Sequence, residues 1–512
     1  YFTVGNGAHE AVNNVLARKL GREEGLITIN DAETINADNV IAVSLRRDAE
    51  TYSANVRNAL QDADLNSYIP GAVEYTTRGD WTKGWTPVSG VYATEEMLPT
   101  LQNRSRQLTA NDDYDIVWGA QNGLNLASMM QFDESGNFIG AVDIDDPEWD
   151  ALLQQITLPE AINFLENCTD EFDAIGSIGI GNVYTNDGPL GFVNDQVSGY
   201  AAKWDASLSN EPTYVGPNDP YAVWTLAEMP TEPVVAATFN PELVRREGEL
   251  FGEDGLWTNI SGVLGPGVNL HTAAYCGRAH EYYSEDAMLT NRMAAELAAG
   301  TWSKGTWCVM KHFAVNDMEY NRTGLSTFFT EQAARENGLR AFQGAVTGDS
   351  LLGVMSAYNR VGTTFAGGHE GLMKQILRNE WGHKGWVETD YAAAGFDYMN
   401  WLDNISAGGG GCLCTSANFS TSEHGSMGDE RNQSSLLADT AFQHEMQEAL
   451  RHFLYVFASS NAMNGISPDT TVVRVATWWE KAITGADIAL GALSVLSLCG
   501  LALAARKEKK AN

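Results

Sequence analysis

The sequence predicts an α/β chain organised as a (β/α)8 TIM-type barrel, with an N-terminal lead-in segment and a C-terminal transmembrane helix. Between about 140 and 400, short apolar stretches alternate with helical patterns, which indicates a parallel sheet with helices between its strands. Polar and ionisable residues follow several of these stretches, at the strand ends where barrels carry their sites. An uncharged apolar run spans 488–505 near the C-terminus.

Composition favours one large globular domain with appendages. The chain has 512 residues, of which 44% are apolar and 10% aromatic, which is ample for a sizeable core. The formal net charge of -34 would repel a phosphate backbone, so we expect no nucleic-acid partner. The acidity fits a neutral or cationic substrate, and it fits a solvated acidic surface equally well.

The central region is interpreted as strand-then-helix units. The stretches that read as buried strands are 233–240, 262–270, 307–313, 351–359 and 385–391. The patterns that indicate helices are 284–300, 330–348, 370–382 and a closing helix over 449–465. A Gly- and Ser-rich stretch over 403–436 is interpreted as a long loop.

These elements divide the chain into three predicted parts. The lead-in segment, 1–135, shows no clean strand–helix rhythm, contains the YTTRGDW sequence at 75–81, and is expected to pack on the barrel. The barrel is expected over 136–466 and the membrane anchor over 467–512.

The C-terminal segment has the pattern of a membrane anchor. The run at 488–505 is long enough to cross a hydrocarbon core of about 30 Å. Trp478 and Trp479 precede it, as in a headgroup belt, and the basic RKEKK sequence follows it, which marks the cytoplasmic side. We therefore expect the body of the protein outside the cytoplasm, at the cell surface. A buried C-terminal helix is the alternative, and Asp487 at the edge of the run counts for it.

No metal or cofactor is expected. The six cysteines are scattered, and the spacing of Cys412 and Cys414 does not match a zinc pattern. The chain has no dinucleotide-binding glycine motif after a strand, no Walker loop and no HExxH sequence.

Residues at predicted strand ends are expected to share one pocket. Taken singly, Asp390 could equally be a helix N-cap, Lys311 could form a salt bridge, and His312 could be a satisfied core histidine. The pocket residues indicated by position are Asp187, Arg278, Lys311, His312, Tyr358 and Asp390.

Four sequence blocks in order resemble glycoside hydrolase family 3. They are GPGVNLHTAAYCGRAHEYYSED at 265–286, KHFAVNDMEYNR at 311–322, VMSAYNRVG at 354–362 and GWVETDYAAAG at 385–395. The stretches at 145–165 and 185–192 also look like the start of that family's barrel, so the resemblance covers about 140–465.

The resemblance implies a (β/α)8 barrel, usually joined to an (α/β)6 sandwich domain, and retaining, exo-acting hydrolysis of β-linked sugars, most commonly as a β-glucosidase. Asp390 matches the nucleophile, in a TDY sequence where the family usually reads SDW. Such a carboxylate forms a covalent glycosyl-enzyme that water then hydrolyses. The matched residues that bind or surround the nonreducing sugar are Asp187, Arg278, Lys311, His312, Arg322, Met355 and Tyr358.

Lys311 and His312 are adjacent, so a regular strand would direct them to opposite faces. For both to face one sugar, the backbone must deviate, and we predict a bulge or a nonproline cis peptide within 310–313.

The resemblance leaves the general acid/base unassigned. The family's sandwich domain commonly supplies it, and no counterpart follows the barrel, so we expect that domain upstream of Tyr1 or from a partner chain. Glu281, Glu319 and Glu388 are candidates without further support. A noncatalytic, membrane-anchored carbohydrate-binding protein is therefore the first alternative, and a transport or structural membrane protein is the second.

Overall fold

The computed structural model describes residues 59–73, 92–102, 108–168, 171–192, 228–272, 276–392, 398–413, 430–467 and 478–511. The chain divides into two units, Tyr1–Asp469 and Thr470–Asn512. The sequence at 75–81, most of the predicted lead-in and Cys414 lie outside the described residues.

A six-stranded sheet forms the centre of the larger unit. Its strand order is β11-β8-β6-β5-β4-β3, with parallel neighbours throughout except for the antiparallel pair β3 and β4. These strands are β3 (Glu171–Phe172), β4 (Val183–Asp187), β5 (Gly262–Leu264), β6 (Trp307–Phe313), β8 (Gly353–Ser356) and β11 (Val387–Thr389). The described residues also contain two small sheets, made of β1 (Met130–Phe132) with β2 (Phe138–Ala141), and of β7 (Ser326–Thr327), β9 (Arg360–Val361) and β10 (Thr364–Phe365).

Backbone hydrogen bonds link the β11 edge of the six-stranded sheet to the segment that precedes β3. Beyond β11, Thr389 donates from its N–H to the carbonyl of Gly411 at 3.1 Å. Cys412 then donates to the carbonyl of Leu165 at 3.0 Å, and Cys168 donates back to Cys412 at 3.0 Å. Since Cys168 lies just before β3 in the chain, these bonds bring the segment before β3 next to the segment beyond β11, as in a sheet curled toward a barrel. The described residues contribute these six strands and the 411–413 segment, rather than the eight strands expected from the sequence.

Helices surround the sheet. They are α1 (Leu65–Tyr68), α2 (Leu98–Leu101), α3 (Glu148–Gln155), α4 (Leu158–Glu166), α5 (Glu232–Ala236), α6 (Pro241–Thr258), α7 (Ala287–Trp302), α8 (Glu331–Glu336), α9 (Gly338–Val346), a π-helix (Gly371–Glu380), α10 (Trp401–Ser406), α11 (Glu430–Ala438) and α12 (Thr440–Ala458). A further helix, α13 (Trp478–Ala511), belongs to the smaller unit. Several of the helices around the sheet carry a side-chain cap at the N-terminus. Asp286, for example, accepts from two backbone N–H groups at the start of α7.

Several predicted elements need correction. The stretch at 233–240 is not a strand, because helix α5 begins at Glu232 with Pro233 in its first turn. The predicted helix at 330–348 is divided at Asn337, whose φ and ψ of -119° and -95° interrupt it. The stretch at 403–436 is not one loop, since α10 and α11 occupy its two ends.

An aromatic cluster closes the amino-terminal end of the barrel. Trp307 begins β6 and Trp386 precedes β11, and both rings are fully buried. They contact each other edge to face, with ring centroids 5.2 Å apart, and stack on Phe457 and Phe453 of α12. The closing helix therefore packs at the end of the strands opposite to their carboxyl termini, where barrels gain stability rather than function.

Residues 59–73 of the predicted lead-in contact the barrel unit directly. Phe329 donates from its N–H to the carbonyl of Ala63 at 2.8 Å. The buried His369 lies with its Nε2 3.0 Å from the carboxylate of Asp62, while its Nδ1 accepts from the N–H of Leu372. This pattern fixes the imidazole proton on Nε2, from which it donates to Asp62.

The smaller unit contains α13. Within it, Lys481–Leu501 is long and apolar enough to cross a bilayer. This stretch has a mean hydropathy of 1.8, and none of its residues is buried against the rest of the protein. Its leucine and isoleucine side chains are exposed, including Ile488, Leu490 and Leu501. Length and composition alone support this as a candidate span.

Candidate active site

The carboxyl ends of four parallel strands of the six-stranded sheet carry the predicted site residues. Asp187 ends β4, Lys311 and His312 lie in the last part of β6, and Asp390 directly follows β11. Met355 lies within β8, and Tyr358 comes shortly after it. Because these strands run parallel in one sheet, with β5 between β4 and β6, their carboxyl ends lie at one edge of the sheet.

The backbone of β6 departs from a regular strand where it carries two functional side chains. The Lys311–His312 peptide bond is cis, as is Phe313–Ala314, and the pairing register with β8 shifts between Met310 and Phe313. The predicted deviation within 310–313 is confirmed. His312 is anchored by Asn269, which accepts from its N–H at 2.8 Å and donates to its carbonyl at 3.0 Å.

Asp390 is a buried carboxylate within reach of several positive charges. One carboxylate oxygen, Oδ1, accepts from the N–H of Tyr391 at 2.7 Å, and the residue is 7% exposed. Burial raises the pKa of Asp390, while the Arg278 guanidinium, the Tyr391 N–H, Lys311 and Arg322 partly oppose that rise. The net pKa lies above its ordinary value because desolvation of the charged form outweighs the attraction of these cations.

Arg278 is fixed between a glutamate and the histidine. Its Nε and Nη2 donate to the two carboxylate oxygens of Glu281 at 2.9 Å and 2.6 Å, and its Nη1 lies 2.8 Å from Nε2 of His312. A guanidinium has no acceptor, so Nε2 accepts and the imidazole proton lies on Nδ1. Burial and the nearby charges of Arg278, Lys311 and Arg322 lower the pKa of His312 well below its usual range. The 3.5 Å approach of Nε2 to Asp390 is therefore a contact of a neutral ring, not an ion pair.

Lys311 and Asp187 form an ion pair across the sheet. The Lys311 ammonium donates to Oδ1 of Asp187 at 2.9 Å; the lysine side chain is buried, and that of Asp187 is half exposed. Burial acts to raise the pKa of Asp187, but the Lys311 charge and the hydrogen bonds it accepts bring the pKa below its ordinary value. Asp187 is thus an ionised acceptor at the open side of the pocket.

Arg322 and Tyr358 form a second layer beside Asp390. The guanidinium carbon of Arg322 lies 4.3 Å from the centre of the Tyr358 ring, a cation–π contact. The Tyr358 hydroxyl donates to the carbonyl of Tyr391 at 2.7 Å. Burial and the charge of Asp390 raise the pKa of Tyr358 above its usual value, so the phenol stays protonated. Tyr358 therefore holds the backbone next to Asp390.

Two glutamates proposed as acid/base candidates instead hold arginines. Glu281 binds Arg278, while Glu319 accepts from Arg322 at 2.8 Å and from Asn316 at 2.9 Å. Glu388 lies buried within β11, near Cys168. Burial raises the pKa of the Cys168 thiol most, and the charge of Glu388 raises it further. These supporting roles were not predicted, although each arginine lies three residues from its glutamate, which is a recognisable helical spacing.

The structure brings most of the predicted residues together. Contacts link Asp187 with Lys311, and Arg322 with Tyr358. His312 contacts both Arg278 and Asp390. Met355 is buried and faces Glu388 in the register of β8 and β11, and it joins the apolar cluster that contains Trp307 and Trp386. The arrangement presents carboxylates, cations and a neutral imidazole at one strand edge, which suits a polyhydroxylated ligand.

Within the part of the chain that the structure describes, no cluster of His, Cys, Asp and Glu has the geometry of a metal site. The pocket residues are paired with one another, and their chemistry is that of hydrogen-bond donors and acceptors.

Part of this chain is similar to known proteins. Residues 223–405 match the glycosyl hydrolase family 3 N-terminal domain. Thermostable β-glucosidase B of Acetivibrio thermocellus is 36% identical over 174 residues, which cover 34% of this chain and 23% of that protein. A β-glucosidase of Ruminococcus albus is 30% identical over 246 residues, which cover 46% of this chain and 25% of that protein.

A solved structure shares the fold. β-Glucosidase 3B from Thermotoga neapolitana, in complex with glycerol, superposes with a TM-score of 0.53 and 27% sequence identity. The superposition covers 63% of this chain and 44% of that one. The matched segments are thus about a quarter of the two curated relatives and less than half of the solved chain. Over the matched residues, this chain is therefore similar in sequence to the glycosyl hydrolase family 3 N-terminal domain and to β-glucosidases.

Proposed function

We propose that this protein is a retaining, exo-acting β-glycoside hydrolase, most specifically a β-glucosidase. The observation that carries the proposal is the position of Asp390, which is buried after β11 and stabilised by the charges of Arg278, Lys311 and Arg322. The β-glucosidases that match this chain support the substrate class.

In the proposed mechanism, Asp390 attacks the anomeric carbon of a β-linked sugar and the glycosidic bond breaks. A second carboxyl group protonates the leaving oxygen, and later deprotonates the water that hydrolyses the glycosyl-enzyme. The attack needs an ionised Asp390, which burial disfavours. The surrounding cations offset part of that cost before substrate arrives, so the site is prepared electrostatically.

The residues around Asp390 are proposed to bind the hydroxyls of the nonreducing sugar. Asp187 would accept from hydroxyls, Lys311 and Arg278 would donate, and His312 would contact the ring between them. Arg322, Met355 and Tyr358 would complete the wall of this subsite. Bonds of this kind that strengthen at the transition state increase rate as well as affinity.

The second carboxyl group is proposed to come from a separate domain of the same protein or from a partner chain. A retaining mechanism needs that group about 5 to 5.5 Å from the nucleophile. Glu281 and Glu319 are engaged with Arg278 and Arg322, so each would have to break an ion pair to act. This engagement favours the alternative function, a noncatalytic carbohydrate-binding protein anchored in a membrane, whenever the second group is missing.

We also propose that α13 anchors the protein in a membrane with the barrel outside the cytoplasm. The apolar stretch Lys481–Leu501 and the basic sequence that follows support this placement. The division into a lead-in over 1–135, a barrel over 136–466 and an anchor over 467–512 belongs to the same proposal.

Hydrolysis of aryl β-glucosides with good leaving groups tests the function. The Asp390→Ala variant should lose at least about a thousandfold in kcat/KM, since the nucleophile is removed. Asp349→Ala, at an exposed position, is the matched control and should keep full activity.

A covalent intermediate distinguishes the two functions. A hydrolase should release a burst of aglycone and gain the mass of one glycosyl unit on Asp390 with a slow substrate. Saturable binding of glucosides without any burst, in the chain and in a version extended with its preceding sequence, would contradict the hydrolase proposal and support the binding protein.

A further inference from the structure

A cavity lies between helix α2, the β9–β10 hairpin and helix α10. Its volume is about 250 Å³, and each of these three elements contributes side chains to its wall. Among the described residues that line it, none is Asp390 or belongs to the group proposed to bind the nonreducing sugar. The cavity is therefore a separate space with its own chemistry.

Hydrogen bonds between distant parts of the chain hold the wall of this cavity in place. Arg360 in β9 is buried, and its Nη1 donates to the carbonyls of Thr100 at 3.3 Å and Thr363 at 3.2 Å. The hydroxyls of Thr100 and Thr363 lie 2.6 Å apart. These contacts join α2 to the hairpin, so the cavity is formed by the fold itself, as small-molecule sites usually are.

Tyr398 contacts both the cavity and the candidate active site. It lines the cavity, where its ring meets Phe365 edge to face at 6.0 Å and the guanidinium carbon of Arg360 lies 4.8 Å from the ring centre. Its hydroxyl accepts from the N–H of Gly324 at 2.8 Å and donates to the carbonyl of Tyr358 at 2.9 Å. The ring is thus held from both sides as a fixed aromatic wall.

The charges on the cavity wall have both signs. Arg360 is a cation, whereas Glu370 and Asp403 are carboxylates. Two carboxylates repel a simple anion, and a guanidinium repels a metal ion. A neutral ligand rich in hydroxyls suits both kinds of charge, because a hydroxyl donates to a carboxylate and accepts from a guanidinium.

The size of the cavity and its other side chains narrow the ligand further. Its volume lies below the range of about 300–1,000 Å³ that is usual for sites of drug-sized ligands, so it suits one sugar ring rather than an oligosaccharide. Thr100, Thr364 and Ser406 add hydroxyl groups, which both donate and accept. Phe365 and Tyr398 add aromatic surface on which the C–H groups of a sugar can pack.

We propose that this cavity binds a neutral hexose, as a second sugar site apart from that of Asp390. Glu370 and Asp403 accept from the sugar hydroxyls, Arg360 donates to them, and the ring packs on Tyr398. A zwitterion such as glycine also carries both signs, but its single ammonium would leave one of the two carboxylates without a cation. The proposal does not depend on hydrolysis, since none of these groups takes part in the proposed mechanism.

Protection of an introduced thiol tests the site in the full chain in detergent. In a Cys499→Ala background, which removes the exposed native thiol of α13, Thr364→Cys places a reactive group on the cavity wall. Saturating D-glucose, D-galactose or D-mannose should slow its alkylation by N-ethylmaleimide several-fold, as measured by peptide mass spectrometry. Thr100→Cys, on α2, is a second reporter that should behave in the same way.

Ser350→Cys, at a half-buried position like Thr364 but away from the cavity, is the matched control. Its thiol should react at the same rate with and without sugar. Unchanged rates at both cavity positions with all three hexoses, or equal slowing by glycine, would overturn the hexose site.

Two further substitutions in the Thr364→Cys chain locate the bound sugar. Glu370→Gln should raise the hexose concentration for half-maximal protection several-fold, because a charge-assisted hydrogen bond becomes a neutral one. Asp187→Ala, which alters the proposed active-site subsite, should leave that concentration unchanged. Thermal melting followed by circular dichroism checks that each variant is folded.

Loss of protection in folded Asp187→Ala would assign the sugar to the active site and overturn the proposal, as would unchanged protection in folded Glu370→Gln. Failure of the proposed hydrolase function would leave both expected results as they are, so the two proposals are tested separately.

Discussion

At the scale of single residues, Asp390 combines two opposing requirements. Burial excludes water from the carboxylate and raises its pKa, while Arg278, the Tyr391 N–H, Lys311 and Arg322 favour the charged form. The pKa of Asp390 is higher in the folded chain than in the unfolded chain. Between these two pKa values, the folded chain therefore holds more protons than the unfolded chain. Stability is therefore lost there, and the loss persists at higher pH.

This opposition predicts a separation of stability from activity. Asp390→Asn should raise Tm at neutral pH, since no charge is buried, while abolishing hydrolysis of aryl β-glucosides. The gain should shrink as pH falls through the pKa of Asp390, because the native carboxyl becomes neutral too. Differential scanning calorimetry between pH 4 and 8 checks this, and an Asn variant that is less stable at neutral pH would contradict it.

In the active chain, the same raised pKa predicts where the acid side of the pH profile lies. A nucleophile must be ionised, so kcat/KM should fall on acidification at a higher pH than an ordinary aspartate would give. The measurement is the pH dependence of kcat/KM for an aryl β-glucoside. Arg278→Met removes one opposing cation and should move the acid limb to still higher pH, whereas Arg292→Met, on the surface of α7, should leave it in place.

The positions of the candidate residues could be predicted because strand ends and family-like blocks mark them, but their partners could not. Glu281 and Glu319 are ordinary glutamates in the sequence, and only the fold shows that they hold Arg278 and Arg322. In the sequence, a glutamate that pairs with a cation cannot be distinguished from one that transfers a proton. Only the tertiary contacts of the glutamate show which role it has.

At the scale of elements, strands were predicted correctly from the sequence where the whole segment is buried. All seven residues of β6 are buried, so its largely apolar run was correctly identified as a strand. The run at 233–240 instead begins within helix α5, which ends at Ala236, because Pro233 fits a first helical turn and Val234 points to solvent. Short apolar runs do not by themselves distinguish buried strands from helices, and the proline was the missed signal.

Elements are also joined by a buried charge network whose stability is testable. Arg335 in α8 donates to Glu331 at 2.7 Å and to both oxygens of Glu380, at the end of the π-helix, at 2.6 and 2.8 Å. Arg335→Met would leave two buried carboxylates without their cation and should cost about 3–5 kcal/mol. Urea unfolding measures this, with Arg292→Met, which breaks an exposed pair with Glu296, as the control at under about 1 kcal/mol.

At the scale of the whole molecule, the sequence predicted the parallel strand–helix order and the strand edge where the candidate residues lie. It did not predict how the sheet curls. Backbone hydrogen bonds between Cys412 and both Leu165 and Cys168 bring the segment before β3 next to the segment beyond β11, and they leave no side-chain pattern. Such contacts depend on where distant chain segments meet, which local periodicity does not record.

Because the candidate span lies in the smaller unit, deleting that unit should move the protein out of the membrane. Removing 470–512 should transfer the protein from the membrane fraction to the soluble fraction, because Lys481–Leu501 carries the only candidate span among the described residues. Alkaline extraction of membranes checks this. In the full chain, Leu493→Arg with Leu496→Arg should weaken retention, at about 2.5–3.5 kcal/mol per buried charge. Retention of the truncated chain at the membrane would contradict the anchor.

The hydrogen bond from Arg278 to His312 gives the pocket its own spectroscopic reporter. Since that bond places the imidazole proton on Nδ1 and the ring is neutral, its two nitrogens differ in chemical environment and do not exchange roles as pH changes near neutrality. A sugar hydroxyl that competes for the guanidinium would alter the shielding of Nε2 before any bond is cleaved. Nitrogen-15 resonances of labelled histidine can therefore detect occupancy of the pocket independently of turnover.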